Sequence, residues 1–132
     1  MKIYVFGNQL IDEDSVPLKI SPKLKKIFPD IKFIQVDPNE NFPDANEKDL
    51  VIIDTVKGLK KICLIQFSDL EMIKKSPVSP HDYDLLFHLQ LLMKLGKVNS
   101  VMIIGLPYLA DNTGEDIEFA VTKVKKIIST LL

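Results

Sequence analysis

Three acids in a row, Asp12, Glu13 and Asp14, close the stretch GNQLIDED near the start of the chain. Asp54 closes the apolar run LVIID, and His81 stands in SPHDYDL. Two carboxylates and an imidazole have the donor types of an N/O metal site suited to a borderline divalent ion such as zinc or nickel. The same groups would equally serve acid–base chemistry. Local spacing does not choose between the two. There is no H-E-x-x-H helix, no G-x-S-x-G elbow, no Walker loop and no G-x-G-x-x-G.

Each residue needs an element to place it. Ser79 can cap a helix, Pro80 suits the first helical position, and Asp82 follows three residues after the cap. Leu85, Leu86, Leu89, Leu92 and Met93 continue at helical spacing. His81 therefore falls in a first turn, where the partial positive end of the helix disfavours the imidazolium. A neutral imidazole can bind a metal or accept a proton, whereas the plain alternative is a surface or capping histidine. His88, mid-helix among leucines, reads as a core-edge residue. Asp54 is the more informative acid, because a carboxylate at the end of a buried strand must be satisfied by something. Asp12, Glu13 and Asp14 could be solvated loop acids, and Asp37 could simply begin a loop.

Composition narrows the function classes. The chain has 132 residues, 46% hydrophobic and 27% charged, which fits one domain spanning 1–132 with a proper core. A net charge of −1 offers no general case for nucleic acid or an acidic membrane as partner. All 17 basic residues are lysines, so the arginine fork used for bidentate phosphate recognition is missing. The single cysteine, Cys63, excludes an internal disulfide and a cysteine metal knuckle. In the run KICLIQF it is expected to be a buried structural thiol. No apolar run reaches the length of a membrane span, and the N-terminus lacks a signal-peptide pattern, so a cytoplasmic protein is expected; separately, the expected state is a monomer.

The elements alternate. Strands are expected at 2–6, 31–36, 50–55, 61–67 and 100–106, and helices at 21–28, about 80–95 and 114–132. Ser21-Pro22 reads as a helix start, and Gly96 as a helix stop. Runs 2–6, 50–54 and 100–105 are apolar enough for the middle of a parallel sheet covered on both faces. Segment 61–67 follows strand 50–54 too closely for a crossover and is the candidate antiparallel addition. The expected fold class is α/β: a three-layer α/β/α domain with a mostly parallel, twisted sheet of about five strands. In such sheets ligands bind beyond the carboxyl ends of the strands. Asp12, Glu13 and Asp14 come after strand one, Asp37 ends strand two, and Asp54 ends the strand LVIID.

The ordered set GNQLIDED, VIIDT and SPHDYDL resembles the [NiFe]-hydrogenase maturation endopeptidases. That family shows a first strand, then G-N-x-L-x-x-D-[D/E], then a strand ending in Asp, then S-P-H opening a helix. Asp14 matches the second acid of the first motif, Asp54 the strand-end acid, and His81 the histidine. The resemblance implies that Asp14, Asp54 and His81 are the metal-contacting and catalytic residues. It implies an endopeptidase that removes the C-terminal extension of a [NiFe]-hydrogenase large-subunit precursor after nickel insertion. Nickel would be supplied by the substrate as its recognition element, with zinc or cadmium able to substitute on the isolated protein. The partner would be that precursor, with neither nucleic acid nor membrane insertion involved.

This chain departs from the family pattern in three places. Val5 replaces the first glycine of G-x-G-N, Pro17 stands where a glycine usually follows the acid pair, and DPNE (37–40) replaces D-x-G-T. These changes bear on which hydrogenase would be cognate. Two other classes compete with the enzyme. One is a non-catalytic α/β binding module docking a metal-loaded protein partner. The other is a small-molecule or phosphate binder, against which stand the missing glycine-rich loop and the acid run after strand one.

Overall fold

A computed structural model describes residues 1–7, 15–36, 48–56, 58–66, 89, 91–108 and 114–132. Five strands form one sheet: β1 (Lys2–Val5), β2 (Lys32–Gln35), β3 (Asp49–Thr55), β4 (Cys63–Gln66) and β5 (Ser100–Leu106). Their order is β2-β1-β3-β5-β4. All neighbours run parallel except β4, which pairs antiparallel with β5. The three apolar runs thus occupy the centre of the sheet, and the short link after β3 delivers the antiparallel edge strand.

Two helices cover one face: α1 (Val16–Ile27) after β1, and α2 (Gly114–Leu131) after β5. Strand alternation sends Ile3, Val5, Ile53 and Ile104 to that face, where they pack with Ile20 of α1 and Val124 of α2. The other residues of the same strands, such as Tyr4, Ile52 and Ile103, pack with Leu89, Leu92 and Met93 on the second face. Residues 89 and 91–94 are helical. Right-handed crossovers require this division. The chain moves one way from β1 to β2 and the other way from β3 to β5, so the two connections cover opposite faces. The α/β/α layering expected from the sequence is present.

The helix after β1 starts earlier than Ser21-Pro22 suggests. Its N-cap is Ser15, with Pro17 in the first turn, and Pro22 lies inside the helix. The pairs Ser15/Pro17 and Ser21/Pro22 carry similar start signals, and burial decides between them. Val16, Pro17, Ile20 and Leu24 form a buried stripe at helical spacing, which only the earlier start provides. Pro22 is exposed, so the carbonyl one turn before it, left without an amide donor, can be met by water.

Gly96 ends its helix as expected. Its φ is +71°, its N–H donates to Met93 O at 3.1 Å, and Lys97 N–H donates to Leu92 O at 3.0 Å. These two bonds are the Schellman pattern that closes a helix on a left-handed residue. At the same edge of the sheet, Asn99 N–H donates to Lys48 O at 2.7 Å, which fixes the start of β5 beside the start of β3. Cys63 is half-buried rather than buried, because β4 is an edge strand. Among the described residues no helix is long and apolar enough to cross a membrane.

Candidate active site at the carboxyl edge

The sheet order reverses at β1 and β3: β1 continues to β2 on one side, and β3 is followed outward by β5. The crevice beyond the carboxyl ends of such a pair is where open α/β sheets bind ligands. Asp54 lies there. It is 2% exposed, one residue inside the end of β3 rather than at its tip, and Thr55 after it is fully buried.

The backbone explains which way the carboxylate turns. Ile53 O accepts the Phe6 N–H at 2.9 Å, so Ile53 faces β1. Val56 N–H donates to Leu106 O at 2.8 Å, so Val56 faces β5. By alternation Thr55 N–H points to the β1 side, one step beyond that bond. This amide donates to Asp54 Oδ1 at 2.8 Å. Asp54 Oδ1 therefore lies on the β1 side of β3, the side of the switch point. A charged or polar donor within a nearly dry environment is the compensation a buried carboxylate requires.

The other flank of Asp54 is apolar. Its register partner across β5 is Gly105. A Cβ on Gly105 would lie 2.7 Å from Leu59 Cδ1 and 3.0 Å from Ile65 Cδ1. Leu59, held by the turn after β3, and Ile65 of β4 thus fill the place of the absent side chain. Toward β5 the neighbourhood of Asp54 is thus hydrocarbon, while its amide donor lies on the β1 side.

Asp14 and His81 lie outside the described residues, as do Asp12, Glu13, Asp37 and His88. Among the described residues no three of His, Cys, Asp and Glu come together as a metal site. Two polar residues that sequence reading did not single out join Asp54 in being buried: Thr55 and, at 3% exposure, Ser15 at the N-cap of α1. The signal for Thr55 was present in VIIDT, as a hydroxyl beside Asp54 at the end of a mostly apolar strand.

No protein-family model matches the sequence, and no curated protein matches it. Solved structures do. An endopeptidase from Escherichia coli aligns over 94% of this chain and 90% of its own, with a TM-score of 0.67 and 23% identity. A hydrogenase 3 maturation protease aligns over 96% of this chain and 87% of its own, with a TM-score of 0.61 and 18% identity. The chain has the fold of the hydrogenase maturation proteases. A hydrogenase 2 maturation peptidase from a Thaumarchaeota archaeon extends the likeness over 99% of this chain and 98% of its own, with a TM-score of 0.55 and 15% identity. The maturation-protease fold thus accounts for the whole sheet, including the antiparallel edge strand and the closing helix.

Proposed function

We propose that this protein is a hydrogenase maturation endopeptidase that removes the C-terminal extension of a [NiFe]-hydrogenase large-subunit precursor. The observation that carries the reading is Asp54. A nearly dry carboxylate that accepts the Thr55 N–H, at the switch-point end of β3, is in place for a ligand or a reaction. It belongs to the ordered motif set of GNQLIDED, VIIDT and SPHDYDL.

In this reading Asp14, Asp54 and His81 engage nickel that the precursor brings with it, and so place the scissile peptide over the crevice. Two carboxylates and an imidazole suit a borderline divalent ion. An ion so held can polarise a peptide carbonyl. In the chain, the acid run falls between β1 and the helix capped by Ser15, the residue after Asp14. Weak binding of cadmium or zinc by the isolated protein is expected, with the remaining coordination left for the substrate.

The test is mass spectrometry on a nickel-loaded large-subunit precursor from the same source, mixed with wild type or His81→Ala. Release of a C-terminal peptide by wild type alone supports the reading. An intact precursor, across all nickel-loaded precursors from that source, would leave a binding module in its place.

A further inference from the structure

Asp54 stands between two unlike neighbours. On the β1 side is Phe6, buried, one step beyond the register pair Val5–Ile53 and with its N–H on Ile53 O. On the β5 side is Gly105, its register partner. Register partners send their side chains to the same face, and alternation puts Asp54 and Gly105 on the face of Ile52 and Ile103, the second face. Adjacent strands lie about 4.7–4.9 Å apart, within reach of an aspartate side chain. A bare glycine beside Asp54 would therefore leave room for the carboxylate to turn toward β5.

That room is taken. Leu59 Cδ1, Ile65 Cδ1 and Val56 Cγ2 lie 2.7, 3.0 and 3.5 Å from the place of a Cβ on Gly105. Ile65 belongs to β4, and Val56 continues β3 with its N–H on Leu106 O. Leu59, half-buried, comes from the turn between them. Its N–H donates to Val56 O at 3.3 Å, and Gly58, the third residue of that turn, has a φ of +97°. Glycine is the residue that takes a positive φ there without a steric cost. One glycine thus shapes the turn that delivers Leu59, and a second leaves the seat that receives it. Both serve to place one leucine beside the one buried acid among the described residues.

The other side of Asp54 is complementary. Its Oδ1 accepts the Thr55 N–H at 2.8 Å on the β1 side. A carboxylate turned toward β5 would give up that bond and, with Leu59 in its seat, would meet hydrocarbon.

We infer that Leu59 is a positioning residue for Asp54: by filling the room over Gly105 it keeps the carboxylate on the β1 side, at the switch point. For its effect on processing, the inference rests on the reading of Asp54 given above. It assigns Leu59 no contact with substrate.

The test compares wild type, Leu59→Ala and the double variant Leu59→Ala with Gly105→Ala. Three-bond NMR couplings to Asp54 Cγ read the χ1 rotamer of the free protein. Cleavage kinetics on the nickel-loaded precursor are measured below the unfolding temperature of each variant. Wild type is expected to hold one rotamer. Leu59→Ala should show averaged couplings, with kcat about tenfold lower and KM little changed, as a misplaced reacting group produces. The double variant returns a methyl group to the vacated room and should recover one rotamer and most of the rate. A single unchanged rotamer in Leu59→Ala would overturn the inference, whatever the stability. So would averaging that leaves kcat at its wild-type value, or a double variant that stays averaged. Should Leu59→Ala not fold, Leu59→Val, a smaller truncation, is judged by the same couplings. If wild type itself leaves the precursor intact, the processing reading fails separately, and the Asp54 couplings alone decide the positioning role.

Discussion

Asp54 and Gly105 face each other in register across β3 and β5, and Leu59 fills the space that a side chain on Gly105 would take. The relationship ties the packing of the β3–β4 turn to the surroundings of the one acid of the candidate site that lies among the described residues. A methyl group at 105 must push Leu59 and Ile65, whose nearest atoms stand 2.7 and 3.0 Å away, although both are ends of side chains that can rotate. Gly105→Ala is therefore expected to destabilise by about 1–3 kcal/mol, the usual range for overpacking. Urea unfolding checks the value. A variant as stable as wild type would mean that Leu59 swings aside without cost.

Asp54→Asn keeps the shape of the side chain and an oxygen able to accept the Thr55 N–H, but removes the charge. The protein should fold with a change of about 1 kcal/mol or less, in line with a retained hydrogen bond. Processing should fall on the order of 100-fold or more, the range lost when an acid–base or metal-engaging group is removed. Paired unfolding and cleavage assays separate the two effects. Unchanged cleavage would remove Asp54 from the reaction.

His81→Ala is expected to abolish precursor cleavage while the fold persists, because the sequence puts this histidine at a helix start rather than in a core stripe. Circular dichroism and the cleavage assay answer together. Calorimetry with cadmium should also show weaker binding than wild type. Tight binding whose loss on chelation unfolds the protein would instead describe a permanent structural metal.

Gly96→Ala tests the helix stop away from the site. Gly96 has a φ of +71° and open space where a Cβ would stand, so the cost is conformational rather than steric. A loss of about 1 kcal/mol is expected, as for an alanine forced into the left-handed region. Thermal unfolding measures it, and cleavage should be unaffected.

Lys23 and Glu118 join α1 to α2 by an ion pair, with side chains 49% and 64% exposed. Exposed pairs of this kind contribute about 0–1 kcal/mol and are screened by salt. Lys23→Ala should therefore lower stability only slightly, and the difference from wild type should shrink as ionic strength rises. A loss that is large and independent of salt would show that the lysine stem matters by packing.

Much of the fold was legible because its causes are local. The continuous apolar runs at 50–54 and 100–105 can only be satisfied by burial on both faces, and they form the central strands. The short link after β3 excludes a crossover, so β4 had to return antiparallel. Gly96 could be read as a helix stop from its residue type alone. The start of α1 was not legible in this way. Ser15/Pro17 and Ser21/Pro22 carry nearly the same local signal, and only the burial of Val16 and Pro17 against the sheet selects the first. Cys63 was misplaced for a related reason: an apolar run says that a strand is covered, but not that it lies at an edge.

The site divides along the same line. Residue type and order alone singled out Asp14, Asp54 and His81 and the family whose motifs they resemble. For Asp54, the sequence also required that a buried acid be satisfied. Tertiary structure alone decided how: the end of β1 leaves the Thr55 amide to the carboxylate, and Gly105 lets Leu59 close the opposite flank. Those facts depend on which strands become neighbours and in what register. Sequence periodicity reports which face a residue takes, but register is set by contacts between distant parts of the chain.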